Sequence, residues 1–247
     1  MAKDSSGTSV VVVGVGASRG TGAAIARRFA REGLHAFVAG RTLERLEIVA
    51  KEIREAGGQA TPVVTDATRE DDVIHLLDLA IEQGGPLDAV VYNAGRNEFR
   101  GLLDMDGAFF EEVWRLCCFT GFTVGREAAR RMLERGSGSI LFTGATASMR
   151  ARPPFTAFAS AKAALRAVAH GMAREFGPKG IHVGHVVIDG MIDGDMVNER
   201  FPAAKKNVGE EGMLDPEAIA DAFFMIHAQP RRAWTLELDL RPHIEKF

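Results

Sequence analysis

The chain has 247 residues, of which 46% are apolar and 26% charged, with a formal net charge of −3. That balance excludes a broad basic surface for nucleic acid, and no stretch approaches the ~18–20 apolar residues that cross a bilayer. The only two cysteines, Cys117 and Cys118, are adjacent and the seven histidines scattered, so neither a disulfide framework nor a metal site is expected.

Residues 1–9 are polar and lack the apolar core of a signal peptide, which predicts a cytoplasmic protein. Short apolar runs then alternate with amphipathic stretches. Strands are predicted at 10–14, 34–39, 60–65, 89–92, 139–143, 182–188 and 234–238. Helices are predicted at 21–32, 43–56, 69–83, 109–135, 156–176 and 216–229. Several strand runs are almost continuous Val, Ile and Leu, as in parallel strands covered on both faces. The alternation is that of βαβ units. It predicts an α/β fold, with a doubly wound, mostly parallel seven-stranded sheet and helices on both faces, in a single domain spanning 1–247.

Thr42 is placed as N-cap of the second helix, with Arg45 where a capping box would need an acid or amide. Arg27–Arg28 and Arg130–Arg131 are expected on solvated helix faces. His182 and His185 fall in a strand and read as core or surface residues. The stretch 189–215, rich in Gly, Asp, Asn, Lys and Met, has little periodicity and is too long for a plain connection, so a substrate loop or lid is expected there.

The first strand runs into Val13-Gly14-Val15-Gly16-Ala17-Ser18-Arg19-Gly20-Thr21-Gly22, which opens the first helix. Glycines here permit a sharp turn and close backbone approach to a pyrophosphate, and the helix N-terminus offers free N–H groups. The expected fold is therefore Rossmann-like, with a nicotinamide dinucleotide as ligand. After the second strand, Val38-Ala39-Gly40-Arg41-Thr42 lacks the acid that usually accepts from the ribose hydroxyls of NAD. Arg41 and Arg19, with the Ser18 hydroxyl, would instead hold a 2′-phosphate, so NADP(H) is expected over NAD(H).

These motifs resemble the short-chain dehydrogenase/reductase family across nearly the whole chain. Val15 stands where that family's TGxxxGxG begins. The resemblance implies that Asp66, followed by Ala67, bonds the adenine amine and that Asn93-Ala94-Gly95 lies against the cofactor. It also implies that Asp189-Gly190-Met191-Ile192 is the PG segment beside the nicotinamide, with Asp189 replacing proline.

In the resembled family a tyrosine passes a proton, and a lysine four residues later lowers the tyrosine's pKa and bonds the nicotinamide ribose. A serine holds the substrate oxygen, and an asparagine completes a water relay. Lys162 is the lysine, but the tyrosine position is Phe158, the serine position Ala145 and the asparagine position Cys118. Tyr92, the only tyrosine, directly precedes the NAG motif, so no shift of register restores the acid.

Two readings follow. One is an NADP(H)-dependent oxidoreductase with altered proton delivery, from Lys162 or with Thr146 or Ser148 holding a substrate oxygen. The other is a catalytically inactive cofactor-binding sensor or partner subunit. Phe158 and Ala145 make the site apolar, which suits an apolar carbonyl-type small molecule. The resemblance also implies a homodimer or homotetramer packed through 109–135 and 156–176. The tail 239–247 departs from the glycine-rich ending common in the family.

Overall fold

The computed structural model describes residues 7–245. Most of the polar N-terminal stretch read for a targeting signal, and the last two residues of the tail, lie outside the described residues.

Seven strands form one sheet: β1 (Ser9–Val13), β2 (His35–Gly40), β3 (Ala60–Val64), β4 (Leu87–Tyr92), β5 (Gly138–Thr143), β6 (Ile181–Ile188) and β7 (Glu237–Leu240). Their order is β3-β2-β1-β4-β5-β6-β7. Every pair is parallel, where the sequence predicted a mostly parallel sheet. β1, β4 and β6 are buried along their full length, which is why they read as predominantly apolar runs, with Ser9, Asp88, His182 and His185 as buried polar exceptions.

The helices α1 (Thr21–Arg31), α2 (Leu43–Glu55) and α9 (Pro216–His227) cover one face, packing Ile25, Phe29, Leu46, Phe223 and Ile226. The other face is covered by α3 (Glu70–Gly84), α5 (Thr120–Arg135) and α6 (Thr156–Phe176), through Leu76, Leu77, Val124, Met132 and Leu165. Chain order reverses between β1 and β4, so the loops at their C-terminal ends diverge and leave a crevice.

Several elements differ from their predicted form. The predicted helix 109–135 is α4 (Gly107–Trp114), a π-helical turn (Arg115–Phe119) and then α5. The hydroxyl of Thr120 donates to the Arg115 carbonyl at 2.9 Å, five residues back. A single widened turn leaves the 3.6-residue pattern almost unchanged, so periodicity does not reveal it. The last strand begins at Glu237, not at Trp234. Trp234 instead stacks on His182 at 4.7 Å and donates its indole N–H to the Gln229 carbonyl. The stretch 189–215 contains α7 (Asp195–Arg200) and α8 (Ala204–Val208).

Thr42 occupies the N-cap position, but its side chain makes no cap bond. The paired arginines are not simply solvated. Arg27 bridges Glu52 and Glu217, Arg28 bridges Glu32 and Asp221, and Arg131 bridges Asp78 and Glu127. Local spacing shows a charge on the polar face; whether another helix meets it with a carboxylate is a tertiary matter.

His182 and His185 are core residues. His185 is fully buried, with Nδ1 3.0 Å from a Glu237 carboxylate oxygen that Arg166 and His170 also approach. Burial pushes the His185 imidazole down to about 4. The hydrogen bond from Arg166, chief among its partners, pulls the Glu237 carboxyl down to about 2. Both values lie below those of the unfolded chain, so both groups stabilise the fold at neutral pH and the unfolded chain takes up protons first as pH falls. Stability should drop continuously from about pH 6.5 through the His185 window and on towards pH 2. Urea midpoints measured against pH test this. Substituting His185→Gln should flatten the upper part, between about 6.5 and 4, and an unchanged profile would refute the assignment.

Candidate active site

The crevice between β1 and β4 is built from backbone at close quarters. Gly14 has φ +93°, and a Cβ there would sit 2.4 Å from the Ala94 nitrogen. Only glycine lets the loop lie directly against the Asn93-Ala94-Gly95 segment. Asn93 Nδ2 donates to the Gly14 carbonyl at 3.1 Å, and the Thr143 hydroxyl donates to Asn93 Oδ1 at 3.1 Å. The ends of β1, β4 and β5 are thus laced together. Nothing lies within 4 Å of a Cβ built on Gly16. α1 begins at Thr21 after Gly20, includes a buried Gly22, and carries no acid in its first turn, so its positive end is uncompensated from within.

Arg19 and Arg41 are exposed, and neither makes an ion pair among the described residues. Ser18 is committed elsewhere: its hydroxyl donates to Glu52 Oε1 at 2.6 Å, which takes it away from the phosphate role expected of it. Asp66 is half-buried, and Oδ1 accepts from the backbone N–H and hydroxyl of Thr68 at 3.0 and 2.7 Å. The Thr68 hydroxyl, with Arg41 and Arg69 nearby, holds its carboxyl below the usual range. Ala67 and Ala94 pack on the core beneath.

The loop 189–215 closes over the same place. Gly190 and Ile192 lead out of β6, and Ile192 bridges to Leu214. Asp195 Oδ2 accepts from the Arg19 backbone N–H at 3.3 Å. Arg200 reaches across to the Asn97 carbonyl at 3.1 Å.

Lys162 is only 4% exposed. Its Nζ donates to the Thr143 carbonyl at 2.8 Å and lies 3.4 Å from where a Gly95 Cβ would be. Burial lowers its pKa. One turn earlier on α6, Phe158 is 8% exposed and packs with Val113, Cys117, Cys118, Ala157 and Ala161, with Ala145 against that cluster. The Lys162 ammonium stands 5.8 Å from the Phe158 ring centroid. Burial pushes the Cys118 thiol up to about 11. The fold therefore brings all four positions together, and three of them carry no oxygen or nitrogen on the side chain.

The hydroxyls considered as replacements are engaged. Thr146 donates to Asp189 Oδ1 at 2.6 Å, and Ser148 accepts from the Ala145 N–H at 3.1 Å within its own turn. Sequence reading missed what holds Thr146. Asp189 is a buried carboxylate that also takes two 2.9 Å bonds from Arg150 and lies 3.6 Å from Arg241. Thr146 and Arg150 share one segment and Arg241 lies on another, both far from Asp189 in the chain, so no local spacing announces them. The proline-to-aspartate change was the one visible sign.

A doubly wound parallel sheet with a glycine loop at the strand-order reversal defines a dinucleotide-binding class of fold. Residues 9–205 match the short chain dehydrogenase family, and the chain belongs to that family of oxidoreductases. It is 35% identical over 189 residues, 76% of this chain and 75% of the other, to a cyclic-di-GMP-binding biofilm dispersal mediator protein of Escherichia coli (strain K12). It superposes with a TM-score of 0.82 on a short-chain dehydrogenase from Rhodopseudomonas palustris, 40% identical, covering 96% of this chain and 99% of that one. An alcohol dehydrogenase from Thermococcus sibiricus, complexed with 5-hydroxy-NADP, gives a TM-score of 0.83 at 27% identity, covering 97% and 98%.

Proposed function

We propose that this chain is an NADP(H)-dependent oxidoreductase acting on an apolar carbonyl-type small molecule, with Lys162 in place of the missing tyrosine. The observation that carries the cofactor is the pair of exposed guanidinium groups, Arg19 and Arg41, flanking a glycine loop with no acid at the end of β2. The Thermococcus sibiricus relative, complexed with 5-hydroxy-NADP, supports the choice.

Gly16, Gly20, Thr21 and Gly22 would cradle the pyrophosphate, Asp66 and Ala67 the adenine, and Asn93, Ala94, Gly95, Gly190 and Ile192 the nicotinamide half. When bound, the dinucleotide supplies the hydride. Lys162, desolvated and held on the Thr143 carbonyl, gives up a proton more readily than an exposed lysine does. That is the sense required of a donor beside Phe158. The apolar cluster around Phe158 and Ala145 excludes water and favours an apolar substrate. In this reading the chain is one domain, cytoplasmic, with 189–215 as its lid.

A second reading is a cofactor-binding protein without turnover, acting as sensor or partner subunit. It is favoured by the three side chains at Phe158, Ala145 and Cys118, none of which carries an oxygen or nitrogen. It is supported too by a relative named for ligand binding and not for a reaction. Titration with NADPH and NADH, followed by cofactor absorbance with a carbonyl and enone panel, separates the two. Slow NADPH oxidation above background supports the enzyme; tight binding with a flat trace supports the sensor.

Homo-oligomerisation belongs to the same proposal. Ala163, Ala167 and Gly171 form an exposed small-residue row along α6, and Trp114 is exposed at the end of α4. Such a row allows close helix–helix approach. A monomeric mass in sedimentation would remove it.

A further inference from the structure

A concavity of about 520 Å³ lies where α5 and α6 end and β5 and β6 begin. This is the end of the sheet opposite the glycine loop, separated from it by roughly 25 Å, the length of an eight-residue strand. Arg135, Lys179, Arg231 and Trp234 line it over glycine backbone, and no carboxylate is among its lining residues.

Two of the cations are held in place. Arg231 Nη2 donates to the Gly136 carbonyl at 2.6 Å, and Arg135 Nη2 donates to Ser137 Oγ at 2.9 Å. Side chains already fixed lose little freedom when a ligand arrives. Gly180, at φ +91°, keeps the floor open: a Cβ there would stand 2.2 Å from the Gly136 oxygen and 3.3 Å from Arg231 Nη1. Trp234 is held flat by His182, with 4° between the rings.

Part of this charge answers the carbonyl ends of α5 and α6, each worth about −0.5 of an elementary charge. Three cations exceed the resulting total of about −1. The one ion pair they make among the described residues is Arg135 with Asp88 at 3.8 Å, and Asp88 is also 3.6 Å from His227. A net positive, partly preorganised hollow remains.

We propose that this hollow is a second anion site, separate from the dinucleotide crevice, and that it takes a small phosphate-bearing anion. Phosphate oxygens would accept from the guanidinium edges and the Lys179 ammonium, while Trp234 offers a ring at the wall.

The chain has two tryptophans, so a Trp114→Phe variant leaves Trp234 as the sole indole reporter. Inorganic pyrophosphate is titrated into this protein at constant ionic strength. The expected result is a saturable change in Trp234 fluorescence, weakened about tenfold or more by Lys179→Glu. An Arg19→Ala/Arg41→Ala background should leave the signal intact, which keeps this test independent of the cofactor reading. No saturable change, or the same affinity in Lys179→Glu, overturns the proposal. ADP run alongside distinguishes the source of the phosphate: tighter Lys179-dependent binding than pyrophosphate supports a nucleotide, and weaker binding supports the inorganic anion.

Discussion

Replacing Arg19 and Arg41 together by alanine should weaken NADPH binding about 100-fold or more while leaving NADH binding unchanged. Each charge-assisted hydrogen bond to a phosphate contributes about 1.5–3 kcal/mol, and 100-fold corresponds to about 2.7 kcal/mol. The two side chains are exposed and make no ion pair among the described residues, so their loss should move the unfolding midpoint only slightly, through Arg41 beside Asp66. That separation makes the measurement decisive. Equal losses for both cofactors would mean that the arginines serve the pyrophosphate or the loop, and not the 2′-phosphate. Ser18 is not a third partner in this expectation, because its hydroxyl is held by Glu52. A Glu52→Gln variant keeps the chain length and removes the nearby negative charge, and it should leave the NADPH preference in place.

The second large effect is a gain. A Phe158→Tyr, Ala145→Ser, Cys118→Asn triple variant should raise carbonyl reduction by ~10²–10⁴, the usual contribution of a positioned general acid. The reason to expect it is that the surrounding frame is intact: Lys162 is buried, bonded to Thr143, and still beside the Phe158 ring. The cost falls on stability. Cys118 is buried in an apolar cluster, and an asparagine there has polar groups to satisfy, at about 1–3 kcal/mol if they are not. Rates should therefore be measured well below the unfolding transition, with NADPH binding confirmed. A folded, NADPH-binding triple variant with no gain would show that the pocket has lost more than three side chains. A large gain over a silent parent would favour the sensor reading of the natural chain; a gain over slow parental turnover would favour the enzyme.

The sheet and the family were legible in the sequence because each rests on local chemistry. Strands such as Val10–Val13 are apolar without interruption because they are covered on both faces. The glycine loop is visible because a residue with a side chain at Gly14 would strike Ala94. The absence of a proton donor at Phe158 was certain from composition, since a chain whose only tyrosine is Tyr92 has no other to place there.

What the sequence did not hold were contacts between segments far apart in the chain. Ser18 and Thr146 are hydroxyls in any register, but Glu52 and Asp189 take them, and those carboxylates come from α2 and the end of β6. Lys162 could have been a surface lysine by its spacing; its position under Gly95 and against Thr143 is set by the packing of α6 on β5 and β6. The π turn at Arg115–Phe119 and the late start of β7 were hidden for a related reason. One widened turn barely alters a helical pattern, and a segment such as Trp234-Thr235-Leu236 reads alike whether it pairs with a neighbouring strand or its tryptophan stacks on His182. The sequence by itself determined which side chains stand at each candidate position. Only the tertiary structure decided which of the remaining groups are free to act, because a hydrogen bond across tens of residues leaves no periodic trace along the chain.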